Sequence, residues 1–130
     1  MDKEPRLLVW NYTVEEKEKL DALLKEIGAP SAMTIESTQG NIPLREIIHK
    51  NSHGEGHFAS DEKALLFYGI PQKGVFLLIN MFKQAHHPRA IYAVVTEHSI
   101  EWSFSELLAH LVCERNEMER RRAGESGERS

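Results

Sequence analysis

The sequence is poor in cysteine and contains no long hydrophobic run. Cys113 is the only cysteine among 130 residues, which excludes an intramolecular disulfide and is typical of a reducing compartment. The longest strongly apolar stretch, Val75 to Phe82, is interrupted by Asn80 and is far shorter than the roughly 20 residues that a membrane-spanning helix requires. The first six residues are mostly charged and lack the pattern of a secretory signal. These absences predict a soluble cytoplasmic protein with no membrane partner.

The sequence also lacks an excess of positive charge and the common catalytic motifs. It has 16 Lys and Arg against 20 Asp and Glu, a net charge of −4. We therefore expect no nucleic-acid partner, because such proteins usually carry a basic face. Neither a serine-elbow motif nor a glycine-rich phosphate-binding motif occurs. The sequence argues against an enzyme, although it does not exclude one, and it predicts no cofactor.

What the sequence does contain is a series of short strands and amphipathic helices. A β-prone run at residues 7–10 precedes Thr13 and Glu16, which together form a capping box that starts a helix. Gly28 and Pro30 end that helix, and the pattern then predicts a strand at 32–35 and a short helix at 43–50. The following segment, residues 51–62, contains glycines, histidines and polar residues and predicts a flexible, solvated linker.

The same series begins again after this segment. Residues 65–69 match residues 7–11 at an offset of 58 positions, and that offset also aligns Pro30 with Pro88. Two extra residues then enter a loop of the second half, and the offset becomes 60. At this offset the short helix at 43–50 aligns with the start of a long helix. That long helix begins at a second capping box, Ser103 to Glu106. Few residues are identical, so chance similarity is the alternative. The order of the elements favours a duplication.

This pattern predicts an α/β protein with a four-stranded sheet. The sheet would be built from two tandem β-α-β-α repeats with pseudo-twofold symmetry, and the helices would pack on it. We expect a single domain over residues 1–122, with repeat 1 at about 6–50, the linker at 51–62 and repeat 2 at about 63–122. Residues 123–130 predict a disordered tail. Whether the two repeats meet in parallel or antiparallel orientation is left open.

The second half contains motifs that are shared with a known family. They are Leu-Leu-Phe-Tyr-Gly at 65–69, the apolar helix that follows, Ala-Val-Val-Thr at 93–96, Trp102, and Ser-Glu-Leu-Leu at 105–108. From about Lys63 to Arg115 the chain thereby resembles the bacterial domain of unknown function numbered 3783. The resemblance implies the fold and makes the first half a diverged copy. It implies no activity, because the family has no established one.

One candidate binding loop lies after the last predicted strand. Thr96, Glu97, His98 and Trp102 lie close together there, and polar groups beside an aromatic ring are suited to a pocket or a partner surface. Asn11 is a further candidate because it follows the first strand, at a turn of the kind where α/β proteins bind ligands. The alternative for Trp102 is a purely structural one, in which it packs against the start of the last helix as a hydrophobic staple.

A candidate interaction helix lies at residues 72–85. Val75, Phe76 and Ile79 belong to apolar positions that extend over more than one helix face, which is typical of a helix that is buried on several sides. Either this helix is the centre of the domain, or one of its sides binds a partner.

The histidines are weak candidates for a metal site. His49, His53 and His57 recur at four-residue intervals, but Gly54 and Gly56 lie among them. A continuous helix that aligns the three rings is therefore not expected, and the sequence predicts no metal site.

Two hypotheses for the function follow. The leading one is a non-enzymatic protein-interaction or regulatory module, whose partner is another protein or a second copy in a homodimer. The alternative is a small-ligand or metal-binding domain that uses the strand-end loops or the histidines.

Overall fold

The computed structural model describes residues 5–129, and the side chains of residues 5–122. Its strands and helices, in chain order, are β1 (Arg6–Trp10), α1 (Val14–Glu26), β2 (Ala32–Thr34), α2 (Leu44–Lys50), β3 (Ala64–Tyr68), α3 (Gln72–Gln84), β4 (Ile91–Val94) and α4 (Phe104–Arg129). Two short 3-10 helices, Ser37–Gln39 and Ser99–Glu101, precede α2 and α4. The predicted α/β class and the four strands are confirmed.

The four strands form one open sheet in the order β2-β1-β3-β4. β1 runs parallel to β2, and β3 runs parallel to β4, whereas the two central strands are antiparallel. Leu8 lies opposite Leu66 at the middle of the central pair. The orientation that the sequence left open is therefore antiparallel.

Helices cover both faces of the sheet. On one face Leu8 and Leu66 pack with residues of α2 and α4, such as Ile47 and Leu107. On the other face Leu7, Val9, Leu65 and Phe67 pack with residues of α1 and α3, such as Leu20 and Leu78. All five residues of β3 are buried. Burial on both faces explains why the central strands are continuously apolar in sequence instead of alternating with polar residues.

Both predicted capping boxes form. The Thr13 hydroxyl accepts a hydrogen bond from the Glu16 amide at 3.1 Å, and the Glu16 carboxylate accepts one from the Thr13 amide at 2.9 Å. At the start of α4 the Ser103 hydroxyl accepts from the Glu106 amide at 3.2 Å. These bonds satisfy amide groups that a helix start otherwise leaves without partners.

The segment at 51–62 lies against the domain. The Gly54 amide donates to the Thr38 carbonyl at 2.7 Å, and the Phe58 amide donates to the Ser37 carbonyl at 3.0 Å. The Phe58 ring packs 5.1 Å from the ring of Trp10. Phe58 is half-buried against an aromatic cluster in the core, whereas most residues of the segment are exposed. The linker at 51–62 stays a prediction.

The last helix is longer than its apolar pattern. Its backbone is helical through Arg129, and the predicted tail at 123–130 lies outside the residues whose side chains the structure describes. The division into a domain at 1–122 and a tail stays a prediction. None of the described helices combines the length and the apolar character needed to cross a membrane.

Candidate interaction surface

Helix α3 exposes two large apolar side chains next to each other. Its buried residues are Val75, Leu78 and Phe82. They recur at helical spacing and hold α3 on the sheet. Phe76 and Leu77 are 62% and 60% exposed. Of the three predicted contact residues, Phe76 is exposed, Ile79 is half-buried and Val75 lies in the core. Phe76 is therefore the one that is open to a partner.

Helix α1 gives an internal comparison for this surface. Both helices have 13 residues and pack on the same face of the sheet. Counted from the first helical residue, Phe76 and Leu77 occupy the positions that Glu18 and Lys19 have in α1. Charged residues are therefore compatible with these positions of a helix on this face. Single exposed apolar residues are common, but an adjacent pair on a helix that otherwise exposes polar residues is typical of a contact surface.

The candidate binding loop is largely occupied by its own hydrogen bonds. The Thr96 amide donates to the Ser99 hydroxyl at 2.8 Å, and the Ser99 amide donates to the Thr96 hydroxyl at 3.1 Å. This reciprocal pair fixes the 3-10 helix that begins at Ser99, in the manner of a capping box. Glu97 and His98 are exposed. Thr96 is exposed as well, but its hydroxyl and amide are bonded to Ser99, so it has a structural role and leaves Glu97 and His98 as the candidates for contact.

Trp102 connects the 3-10 helix before α4 to the start of α2. Its carbonyl accepts a hydrogen bond from the Leu44 amide at 2.8 Å, and its ring makes an edge contact with His110, with ring centroids 5.6 Å apart. The side chain is 37% exposed. This packing against α4 supports the structural alternative for Trp102, although part of the ring stays open.

Asn11 lies far from that loop. It follows β1, whose last residue, Trp10, is paired with the first residue of β3, whereas Thr96 follows the end of β4, next to the last residues of β3. The two are therefore at opposite ends of the sheet, and the structure does not bring them into one pocket. The Asn11 side chain donates to the Asp61 carbonyl at 3.1 Å, and its backbone φ of 64° forms the turn into α1.

Next to Asn11, a small charged cluster joins α1 to the residue before β3. Lys63 forms an ion pair with Glu16, and its ammonium group lies 5.2 Å from the centre of the Tyr12 ring. The hydrogen bond from Lys63 lowers the pKa of Glu16, and burial raises the pKa of Tyr12. Since Glu16 is also part of the helix cap, this cluster has a clear structural role.

The three histidines of the weak metal hypothesis have separate partners. His49 makes an edge contact with the ring of Tyr68. His53 forms a hydrogen bond with the Thr38 hydroxyl, and His57 forms one with the Ser37 hydroxyl. Within the described residues, no three His, Cys, Asp or Glu side chains are grouped so that they could hold a metal ion.

A groove of about 560 Å³ lies between residues 58–62 and α4. Phe58, Leu108 and Val112 give it an apolar lining, and the exposed thiol of Cys113 lies at its side. At one end Arg115 donates two hydrogen bonds to Glu62, at 2.6 and 3.1 Å, which lower the pKa of Glu62. The sequence did not predict this groove. Phe58 was the only signal, being the one large apolar residue in a segment that otherwise reads as a linker.

The fold defines a small α/β protein with an open four-stranded sheet covered by helices on both faces. Residues 63–118, from the residue before β3 into α4, match the family model described as a domain of unknown function (DUF3783). The predicted resemblance of the second half is thus confirmed. No curated protein and no solved structure gave a significant match to the chain. The bacterial origin and the first half as a diverged copy stay predictions.

Proposed function

We propose that this protein is a non-enzymatic protein-interaction module and that α3 presents its contact surface. The observation that carries this proposal is the adjacent exposure of Phe76 and Leu77. These residues add nothing to the buried core, and α1 carries charges at the same positions. A partner that covers them explains why they are apolar.

The two side chains are large enough to anchor a partner. A phenylalanine buries roughly 150–250 Å², and 62% of Phe76 is exposed. Covering that remainder removes about 100–150 Å² from water, which contributes about 2–4 kcal/mol at 25 cal/mol per Å². This is the magnitude of a binding hot spot. The rest of α3 contains two lysines and no acidic residue, so an apolar partner surface with carboxylates at its rim fits best.

Site-specific photocrosslinking in cells tests this function. A benzophenone amino acid replaces Phe76 in one variant and Glu18, the residue at the same position of α1, in the matched control. We expect a specific crosslinked product from position 76 and none from position 18. Equal products from both positions, or no product from position 76, would contradict an interaction through α3.

The scaffold of this module is a duplicated β-α-β-α unit. Pairing between aligned residues supports the duplication: Leu8 pairs with Leu66, which is its equivalent at the offset of 58. Pro43 likewise forms an isolated bridge with Ser103, its equivalent at the offset of 60. Equivalent residues that contact each other are expected where a twofold axis passes between two copies.

The turns of the two halves also support the duplication. Asn11 and Gly69 end the first strand of each half with φ values of 64° and 69°. Gly28 and His86 follow the first helix of each half with φ values of 74° and 58°. Left-handed backbone is uncommon for residues other than glycine, so its occurrence at positions that are 58 apart in both cases favours a common origin over chance.

The groove beside α4 favours a second candidate function, the binding of a small apolar ligand. Its volume of about 560 Å³ lies within the range of known ligand sites, which are mostly apolar with a few polar groups. A ligand at a hundred times its dissociation constant would stabilise the fold by about 2.7 kcal/mol. Thermal unfolding with a panel of apolar metabolites tests this function, and Val112→Trp, which fills the groove, should abolish any stabilisation. A stabilisation that persists in this variant would place the ligand elsewhere.

A further inference from the structure

The outer edge of β4 is open. β4 is the last strand of the sheet, and within residues 5–129 it pairs only with β3. The amides of Ile91 and Val95 donate inwards, to the carbonyls of Lys63 and Phe67. In a parallel pair the alternate residues direct their N–H and C=O groups to the other side, so those of Tyr92 and Val94 point outwards. Val94 is 45% exposed, and β4 contains no proline or charged residue.

The opposite edge of the sheet, at β2, is protected. The Ile35 amide donates inwards to the Val9 carbonyl, so by the same alternation the amides of Ala32 and Thr34 point outwards. The carboxylate of Asp21 accepts the hydrogen bond of the Ala32 amide at 3.1 Å and is held by Lys17 at 2.7 Å. A carboxylate at the edge of a sheet blocks the addition of another strand.

The second half has lost this protection. Asp21 is the eighth residue of α1, and the eighth residue of α3 is Ile79, which has no acceptor. Among the residues that the structure describes, no side chain bonds the outward amide of Tyr92, the counterpart of Ala32. Ile79 and Tyr92 are instead both half-buried apolar residues that pack against the core cluster on that face of the sheet. One edge is therefore closed by a specific device, and the other presents backbone donors and acceptors beside apolar side chains.

We propose that the open edge of β4 pairs with β4 of a second copy of this chain, in antiparallel orientation, and joins the two sheets into one. The proposal goes beyond the proposed function, because it concerns the edge of β4 and not the exposed residues Phe76 and Leu77 of α3. Antiparallel pairing of two identical strands is twofold symmetric. The outward N–H groups of each β4 can therefore donate to the outward C=O groups of the other. No charged residue of β4 has to be buried in this contact.

The register follows from the outward residues. Outward residues pair with outward residues, and the register that uses both of them in each strand places Tyr92 of one copy opposite Val94 of the other, with Ala93 at the twofold axis. Tyr92 and Val94 form the kind of aromatic and β-branched cross-strand pair that stabilises sheets. In this register Arg89 of one copy also lies opposite Glu97 of the other, and both residues are exposed in the single chain. This complementary charge, which occurs twice, favours a second copy over an unrelated extended peptide.

Sedimentation equilibrium of the full chain tests the proposal, since monomer and dimer differ by one chain mass of 14.9 kDa. We expect the wild type to be a dimer and Val94→Pro, which removes an outward amide but no bond to β3, to be a monomer. Thr34→Pro is the matched control at the same position of β2 and should stay dimeric. Circular dichroism should show that both variants are folded.

A charge exchange tests the register independently and affects only exposed residues. Arg89→Glu and Glu97→Arg should each raise the dissociation constant of the dimer about tenfold, and the double exchange should restore it. A monomeric wild type at all concentrations, or an unchanged dimer in Val94→Pro, would overturn the second copy as partner. The proposed function is judged separately, because crosslinking of position 76 to another protein would persist in Val94→Pro.

Discussion

The protection of the β2 edge by Asp21 leads to a quantitative prediction. The Asp21 carboxylate accepts the Ala32 amide at 3.1 Å and the Lys17 ammonium at 2.7 Å, and its side chain is 31% exposed. A hydrogen bond to a charged group contributes about 1.5–3 kcal/mol, and partial exposure places this one near the lower end. The ion pair adds about 0.3–0.5 kcal/mol. Alanine offsets up to about 0.7 kcal/mol through its helix propensity. Asp21→Ala should therefore lower the free energy of unfolding by about 1–1.5 kcal/mol.

Urea unfolding measures this effect, and Asp21→Asn is its control. The asparagine carbonyl can still accept the Ala32 amide, so this variant loses mainly the ion pair and about 0.5 kcal/mol or less. The denaturation midpoint should shift while the m-value stays unchanged. If Asp21→Ala were as stable as Asp21→Asn, the carboxylate would not cap the edge, and the contrast between β2 and β4 would lose its energetic basis.

Three further predictions concern the turns, the half-buried His87 and the packing of Phe58. His86→Gly should raise the free energy of unfolding and Gly28→Ala should lower it, each by about 1 kcal/mol, because both positions have a positive φ that glycine adopts most easily. A Cβ at Gly28 would meet no atom within 4 Å, so the backbone conformation alone causes the loss there. Thermal unfolding measures both changes, and changes of the same sign would contradict this. Burial lowers the pKa of His87 below 6.5; the unfolded chain then protonates first as the pH falls through 6.5, so the free energy of unfolding should fall there. His87→Phe should flatten that slope, and an unchanged slope would point to other groups. Phe58→Ala should cost about 2–4 kcal/mol and alter the fluorescence of Trp10, whereas a loss below about 1 kcal/mol would fit a solvated linker.

Much of the fold could be predicted because its signals are local. The capping box of Thr13 and Glu16 and the stop at Gly28 depend on neighbouring residues, and they placed α1 correctly. The apolar strands were recognisable because burial on both faces leaves no polar positions in them. The two 3-10 helices were missed, since a single turn such as Ser37–Gln39 has no periodic pattern that distinguishes it from a loop.

The remaining features depend on contacts that are distant in sequence. Phe58 reads as one aromatic residue in a polar segment, and its place beside Trp10 follows only from the folded chain. The same holds for α3, where the apolar pattern did not distinguish the buried Val75 from the exposed Phe76. The candidate loop combined Thr96 with Asn11 because both follow strands, but the antiparallel central pair places them at opposite ends of the sheet.

Amide hydrogen exchange at low and high protein concentration tests the central claim most directly. If β4 pairs with a second copy, the outward amides of Tyr92 and Val94 should become protected as the concentration rises. The amide of Thr34 at the other edge should exchange rapidly at every concentration. The Ala32 amide should be protected at every concentration by Asp21. Rapid, concentration-independent exchange at Tyr92 and Val94 would contradict the account.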